Sequence, residues 1–290
     1  MKETVIGTGL TGLVGSRVVE LNPQYEFINL SYPQADITQI DTIESYFKDH
    51  PEATTVIHFA AFTDTKSAWE QRFDLTGPCF QINVIGTQNI VNLCQKYQKH
   101  LIHISTDYVF NGQKDIPYTE DDPINSLEWY GQTKAMAEKI AFDASATVAR
   151  ICFPFRHSFA AKADFIQGYI NKLKAGEPLY LFADQIITPT FIDDMATAFD
   201  VMIQRHPEGI YHVVGSSFHS PFEVAQKVAA AFKLDASLIH ESSLAQYLKD
   251  NPLARPFGKN QAISNQKLQQ DLGVTMKTFA QSLELLAPQN

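Results

Sequence analysis

Short apolar runs alternate along the chain with longer amphipathic stretches. Residues 4–7, 26–30, 55–60, 101–105 and 147–153 read as strands, apolar on both faces. Between them, residues 11–21, 39–48, 80–99 and 126–143 carry the spacing of helices with one apolar face. Strands apolar on both sides, separated by helices, predict a parallel sheet covered by helices on both faces, with right-handed crossovers. Beyond Pro154 the rhythm loosens. Residues 164–175, 191–205, 221–232 and 276–286 predict helices, and 210–214 a short strand. The pattern predicts a dinucleotide-sized α/β domain from residues 1–153 plus about 190–214. A smaller lobe, from residues 154–189 plus 215–290, is interwoven with it rather than attached by a linker.

The 290 residues suffice for a substantial core, and 44% apolar with 19% charged residues is ordinary for a globular protein. The net charge of −9 argues against a general affinity for nucleic acid or anionic membrane. Phosphate can still be held locally by backbone amides. Cys79, Cys94 and Cys152 are far apart and show no metal-ligand spacing, so three reduced thiols and no metal site are expected. No apolar run approaches the roughly 18 residues of a membrane span, and no secretory leader is legible, so the expected location is the cytoplasm.

The first strand runs straight into Thr8-Gly9-Leu10-Thr11-Gly12-Leu13-Val14-Gly15 and then a helix. Glycines let the backbone turn tightly and approach a pyrophosphate, while the helix start offers its free amides. The alternative is a turn that needs glycine only for close packing. The context favours a nicotinamide dinucleotide held by Gly9, Thr11, Gly12, Leu13 and Val14 in a Rossmann-like, doubly wound sheet. Ser31 stands at the end of the second strand, where an NAD-selective site would often carry a carboxylate. Arg17, just after the glycines, could meet a 2′-phosphate or be an ordinary solvated arginine. Asp36 and Ile37 fall where the adenine edge would lie. NADP and NAD both remain open.

Thr106 closes the fourth strand in His103-Ile104-Ser105-Thr106-Asp107, and Tyr130 and Lys134 follow on one helix, four residues apart. Beyond the carboxyl ends of parallel strands this trio fits carbonyl/alcohol redox chemistry. The threonine hydroxyl meets the carbonyl, the phenol relays the proton, and a neighbouring ammonium favours phenolate. Lys134 would also reach the nicotinamide ribose. Asn83 either supports a proton relay through a water or is a plain helix asparagine. His58 is the one histidine expected near the cofactor; His103, His212 and His219 read as core or surface residues.

The chain resembles the extended short-chain dehydrogenases/reductases, and within them the dTDP-4-dehydrorhamnose reductase family. The resemblance is carried by Gly9-x-x-Gly12-x-x-Gly15, the run 58–63 (HFAAFT), the run 105–112 (STDYVFNG) and Tyr130-Gly131-Gln132-Thr133-Lys134-x-x-x-Glu138. Asp184-Gln185 with Thr188-Pro189-Thr190, and Arg255-Pro256, add to it. It implies Thr106, Tyr130 and Lys134 as the catalytic set, with Ala60, Ala61, Thr63, Asn83 and Ser105 also on the cofactor. It implies a nucleotide-activated 4-keto-6-deoxy sugar as substrate, with Phe62, Thr106, Asp107, Phe155, Gln185 and Arg255 around it. His58, Ile187, Trp129 and the longer segment 71–78 depart from the family pattern around the expected pocket. Two other readings compete with a reductase. One is a nucleotide-sugar epimerase or dehydratase that retains its cofactor. The other is a non-catalytic NADP-binding subunit resembling the regulatory subunit of methionine adenosyltransferase. The helices 80–99 and 126–143 could pair in a homodimer.

Overall fold

The computed structural model describes residues 2–287. In chain order the elements are β1 (Glu3–Thr8), α1 (Leu13–Leu21), β2 (Tyr25–Leu30), α2 (Ile40–Asp49), β3 (Thr55–His58) and α3 (Thr65–Glu70). Then come α4 (Pro78–Phe80), a π-helical stretch Gln81–Gly86, α5 (Thr87–Lys96), β4 (His100–Thr106), α6 (Trp129–Asp143) and β5 (Thr147–Ile151). The remainder comprises β6 (Pro154–Phe155), α7 (Phe165–Lys174), β7 (Leu179–Phe182), β8 (Thr190–Phe191), α8 (Ile192–Arg205) and β9 (Gly209–His212). It closes with α9 (Pro221–Phe232), β10 (Ile239–Ser242), α10 (Leu244–Asp250), α11 (Gln266–Leu272) and α12 (Phe279–Leu286).

Six parallel strands form the central sheet in the order β2-β1-β3-β4-β5-β9. Successive strand residues face opposite sides. Val5, Ile57, Ile102 and Ala149 pack under α1, α8 and α11, while Ile6, Val56, Leu101 and Val148 pack under α2, α5 and α6. Two apolar faces per strand explain the unbroken apolar runs of the sequence. The winding reverses between β1 and β3, and the crevice beyond their carboxyl ends is where ligands of such sheets bind.

The second lobe packs the β6–β8 and β7–β10 pairs against α7, α9 and α12. Two of its helices start where the local chemistry dictates. Ser220 and Glu223 make a capping box with Pro221 at the first turn of α9, and Thr278 and Gln281 make one for α12. The packing departs from the expected boundaries at two places, the first being Thr190–Phe191, expected with the sheet but paired with β6. Leu268, Leu272, Val274 and Met276 pack into the core beneath the sheet, so this stretch of 215–290 belongs with the dinucleotide domain. Residues 288–290 of that span lie outside the described residues.

Other differences are local. The expected helix 80–99 passes through the π-helical stretch and ends at Lys96. The segment before it holds α3, capped by Asp64, whose side chain accepts from the amides of Lys66 and Ser67. Within the chain, α5 and α6 pack side by side, and α6 leaves Met136 and Phe142 exposed. No helix among the described residues is long and apolar enough to cross a membrane.

Candidate active site

Three constraints seat the catalytic helix. Glu128 caps α6, its Oε1 accepting from the Gly131 amide at 2.8 Å. Gly131 lets the first turn press against the strand-end turn, since a Cβ there would lie 2.1 Å from the Tyr108 carbonyl oxygen. Further along, Glu138 accepts from Ser105 Oγ at 2.7 Å and from Arg150 Nε at 3.0 Å, with a second bond from the same guanidinium. Arg150 is 1% exposed and also faces His212 Nε2 at 3.2 Å. This buried knot ties α6 to β4 and β5, and so turns Tyr130 and Lys134 toward the strand ends. Ser105, expected on the cofactor, is thereby committed to the helix.

Thr106 is held in turn. Its Oγ1 accepts from the Tyr108 amide at 3.3 Å and donates to Asp107 Oδ1 at 3.0 Å. Thr106, Tyr130 and Lys134 are all buried. The Lys134 ammonium donates to the Ile104 carbonyl at 2.6 Å and faces His103 Nε2 at 3.4 Å. Burial lowers Lys134 to about 8, with Glu138 opposing, so it stays largely cationic at neutral pH. His103 stays neutral because burial and the Lys134 charge hold it well below its usual range.

The phenol does not behave as its lysine neighbour suggested. Burial, then Asp107 and Glu128, push Tyr130 above its ordinary value, and a hydrogen bond with Thr106 only partly opposes them. Tyr130 is therefore protonated at neutral pH, and it stands ready to give a proton rather than to take one. Burial also raises Asp107 and Glu128 to about 7 each. One oxygen of each carboxyl, Asp107 Oδ2 and Glu128 Oε2, is buried with no hydrogen-bond partner, as are Arg255 Nη1 and Trp129 Nε1. Buried polar atoms are almost always paired, so this group around Tyr130 marks a site shaped for a polar ligand.

At the switch point, Gly9 has φ +67° and a Cβ on it would meet the Ala60 amide nitrogen at 2.7 Å. Gly15 packs on the Gly9 carbonyl, where a Cβ would lie 2.5 Å away. Gly12 caps α1 with no side-chain hydrogen bond, which leaves the first helical amides to an outside acceptor. Thr11 and Gly12 are exposed, Leu13 is half-buried and Val14 buried. This uncapped helix start fits a dinucleotide diphosphate.

A directed chain of hydrogen bonds runs from this turn to the catalytic helix. The Ala60 amide donates to Thr8 Oγ1 at 3.2 Å, and Thr8 meets His58 Nδ1 at 2.6 Å. His58 Nε2 meets Thr87 Oγ1 at 3.2 Å, and Thr87 donates to the Asn83 carbonyl at 2.7 Å. Because the Thr87 proton is spent on that carbonyl, His58 must carry its proton on Nε2. Burial, with help from Lys134, lowers His58 to about 3. Asn83 Nδ2 then donates to Thr133 Oγ1 at 3.0 Å, and Thr133 donates to the Tyr130 carbonyl at 2.8 Å. Asn83 Oδ1 accepts from the Phe62 amide at 2.8 Å. The Asn83 side chain is thus bonded to protein partners, which favours the second of its two readings, a helix asparagine, over a water relay.

Other expected residues are placed differently. Arg17 makes a two-pronged pair with Asp193, both contacts 2.7 Å, and reaches Glu20 at 3.0 Å. It bolts α1 to α8 instead of offering a free charge. Ser31 is half-buried, and Asp36 is occupied by Thr38, whose amide and hydroxyl it accepts at 2.9 and 2.8 Å. The buried Ile37 packs against Gly86. Ala61 is half-buried and Thr63 exposed. Phe62 packs beside Tyr130 with Trp129, Trp69 and Phe80. Phe155 is fully buried in the second lobe among Phe165, Phe191 and Phe279, so it lines no pocket. Ile187 likewise belongs to that core. Gln185 donates to the Gly258 carbonyl at 3.0 Å. Arg255 stacks 3.9 Å over Phe257 and 5.6 Å from the Tyr108 ring, beside the site. Among the described residues no group of three or more metal-ligating side chains gathers. Sequence reasoning missed Glu128, Arg150 and Thr8; only the charge of Glu128, two residues before the tyrosine in an otherwise apolar run, was a usable signal.

Comparisons with known proteins agree with this geometry. Over 96% of its length the chain is 28% identical to a probable low-salt glycan biosynthesis reductase of Haloferax volcanii, 95% of which is covered. It is 27% identical to a dTDP-4-dehydrorhamnose reductase of Aggregatibacter actinomycetemcomitans, over 96% of each chain. The crystal structure of dTDP-4-dehydrorhamnose reductase from Bacillus anthracis in complex with NADP superposes with a TM-score of 0.89 at 26% identity, over 99% of each chain. The family model described as the RmlD substrate binding domain matches residues 2–289, and the chain belongs to this family of extended short-chain dehydrogenases/reductases.

Proposed function

We propose that the protein reduces the 4-keto group of a nucleotide-activated 6-deoxy sugar. As a member of its family it is an NAD(P)-dependent oxidoreductase of nucleotide sugars. The 4-keto-6-deoxy substrate is suggested by the relatives that bear the name dTDP-4-dehydrorhamnose reductase. The observation that carries the reading is the gathering of buried Thr106, Tyr130 and Lys134 at the end of β4, where Lys134 is bonded to the Ile104 carbonyl, in a chain whose α1 starts uncapped after the glycine turn.

When bound, a reduced nicotinamide supplies the hydride for such a reduction. Thr106 and Tyr130 would hold the keto oxygen by hydrogen bonds, and the protonated phenol would give its proton to that oxygen as negative charge develops there. Lys134, pinned by Ile104, would present its ammonium to the ribose. Walls of Phe62, Trp129 and Tyr108 exclude water from the phenol. The absence of a carboxylate at Ser31 is compatible with NADP as well as NAD.

Cofactor oxidation with dTDP-4-keto-6-deoxy sugars tests the reading. Tyr130→Phe should lower kcat by about 10²–10⁴-fold, the usual worth of a positioned acid; a normal rate would sink the assignment.

A further inference from the structure

The hydrogen bonds that lead from the glycine turn to the catalytic helix all run in one direction. The Ala60 amide donates to Thr8 Oγ1 at 3.2 Å, and Thr8 spends its own proton on His58 Nδ1 at 2.6 Å. His58 Nε2 donates to Thr87 Oγ1 at 3.2 Å, and Thr87 donates to the Asn83 carbonyl at 2.7 Å. From the side chain of the same residue, Asn83 Nδ2 donates to Thr133 Oγ1 at 3.0 Å, and Thr133 donates to the Tyr130 carbonyl at 2.8 Å. Thr8, His58, Asn83, Thr87 and Thr133 are each 1% exposed or less, so water does not compete for these bonds. One end of the chain is the backbone of Ala60, packed so closely on Gly9 that a Cβ there would lie 2.7 Å from the Ala60 nitrogen. The other end is the backbone of the catalytic tyrosine.

We propose that His58 is a positioning residue for the reduction: through Thr8 on one side and Thr87, Asn83 and Thr133 on the other, it holds the glycine turn and Tyr130 in one register. This deepens the reductase reading above and rests on it. The position asks for an unusual side chain. Toward β1 it must accept, because Thr8 has a proton to give. Toward α5 it must donate, because Thr87 has already given its proton to Asn83. A neutral imidazole does both from opposite sides of one rigid ring, whereas a carboxylate offers only acceptors and a lysine only donors. A buried network in which every member is satisfied is stiff, and loss of one member leaves its neighbours unpaired.

Three further contacts tie the chain to the site. Asn83 lies in the π-helical stretch, and Thr87, the first residue of α5, turns its hydroxyl back onto the carbonyl four residues earlier. Asn83 Oδ1 accepts from the Phe62 amide at 2.8 Å, so the same residue holds a wall of the phenol's surroundings. The His58 ring also lies 5.4 Å from the His103 ring, and His103 Nε2 faces the Lys134 ammonium at 3.4 Å. His58 therefore stands behind both residues of the catalytic helix: bonded through to the Tyr130 backbone, and packed on the histidine that Lys134 meets.

The test begins with the wild-type protein. Nitrogen NMR of the histidine-labelled chain at pH 7 should show His58 with its proton on Nε2 and a bare Nδ1; a proton on Nδ1 would reverse the chain and overturn the proposal. The second measurement is a double-mutant cycle on the single-turnover rate of cofactor oxidation with a keto sugar, using Thr8→Val and Thr133→Val, which keep shape and remove one hydroxyl at each end. Each should slow the reaction at least about 10-fold, a fraction of the roughly 10²-fold that a 1 Å displacement costs. Together they should slow it no more than about 3-fold beyond the worse of the two, because a chain already broken at one end has little left to lose. Losses that multiply to within about 2-fold would mean two independent sites and overturn the proposal. The same cycle in urea unfolding is the reference: coupling in stability with none in rate would reduce the chain to packing and also overturn it. No cofactor oxidation by wild type with any keto sugar would strike the reductase reading and this role with it, whereas the wrong tautomer or multiplying losses in an active enzyme strike this role alone.

Discussion

Gly131→Ala sets two local effects against each other at the residue after the catalytic tyrosine. A methyl group there would lie 2.1 Å from the Tyr108 carbonyl oxygen and 2.2 Å from Ser126 Oγ, where real Cβ contacts do not fall under 3.0 Å. The serine hydroxyl can rotate away. The carbonyl cannot, because its turn is fixed by the Tyr108 amide on Thr106 and the Phe110 amide on Asp107. The start of α6 must then retreat by at least 0.9 Å, the difference between 3.0 and 2.1 Å. Alanine favours a helix over glycine by about 1 kcal/mol, but forcing a methyl into a filled contact costs about 1–3 kcal/mol, and the rigid backbone partner places this site at the upper end. The net loss is about 2 kcal/mol, or a fall in Tm of about 3 °C in a chain of this size. Activity should fall further than stability, because a displacement of about 1 Å at reacting groups costs on the order of 10²-fold. The assay is kcat with a keto sugar alongside a thermal melt. A variant with unchanged kcat and an equal or higher Tm would show that helix propensity wins and that backbone contact does not seat the tyrosine.

Arg17→Ala should change the ratio of NADPH to NADH affinity by less than about 3-fold, whereas loss of a charged phosphate contact of about 1.5–3 kcal/mol would change it by about 10–150-fold; cofactor titration separates the two. Glu138→Ala leaves the buried Arg150 charge unpaired and should cost about 3–5 kcal/mol in urea unfolding, with a loss below about 1 kcal/mol refuting the role of that knot. His58 titrates at about 3 in the folded chain and near 6.5 when unfolded, so the unfolded state takes up the proton first and stability is lost as pH falls from 6.5 toward 3. At pH 5 that loss is about 2 kcal/mol. Asp107 and Glu128, raised to about 7, act with the opposite sign, so the comparison is between variants. His58→Gln should lose about 2 kcal/mol less than wild type between pH 7 and pH 5, and parallel losses in urea midpoints would count against a buried neutral imidazole.

The framework of the fold was legible because it depends on periodicity. Val5 and Ile6 pack on opposite faces of the same strand, and a strand buried on both faces can only read as an apolar run. The glycine turn was legible for a similar reason: Gly9 adopts a positive φ against Ala60, and few residues other than glycine can stand there. The π-helical stretch was not. It differs from its flanking helices by hydrogen-bond register alone, and the run 81–86 (QINVIG) carries the same apolar spacing as a regular helix. The return of Leu268 to Met276 beneath the sheet was hidden as well, because an amphipathic segment shows that it has an apolar face and not which core receives it.

The chemistry of the site divides along the same line. Residue type and spacing identify groups able to act, whereas partners decide whether they are free to. Arg17 is absorbed by Asp193, Ser105 by Glu138, and Asn83 by Phe62 and Thr133, and none of those partners is adjacent in sequence. The same distance in sequence hid the state of Tyr130. A lysine one helical turn away suggests an acidified phenol, but the Lys134 ammonium is drawn to Ile104 and His103, and the phenol is left facing Asp107 and Glu128. For an alcohol oxidase that would be a defect, since a phenolate base would be hard to form. For a reductase it is the useful arrangement, because the step that needs help is donation, and a phenol held protonated first by burial and then by two neighbouring carboxyls is loaded before substrate arrives. The burial of one phenol thus bears on the direction in which the site is built to work.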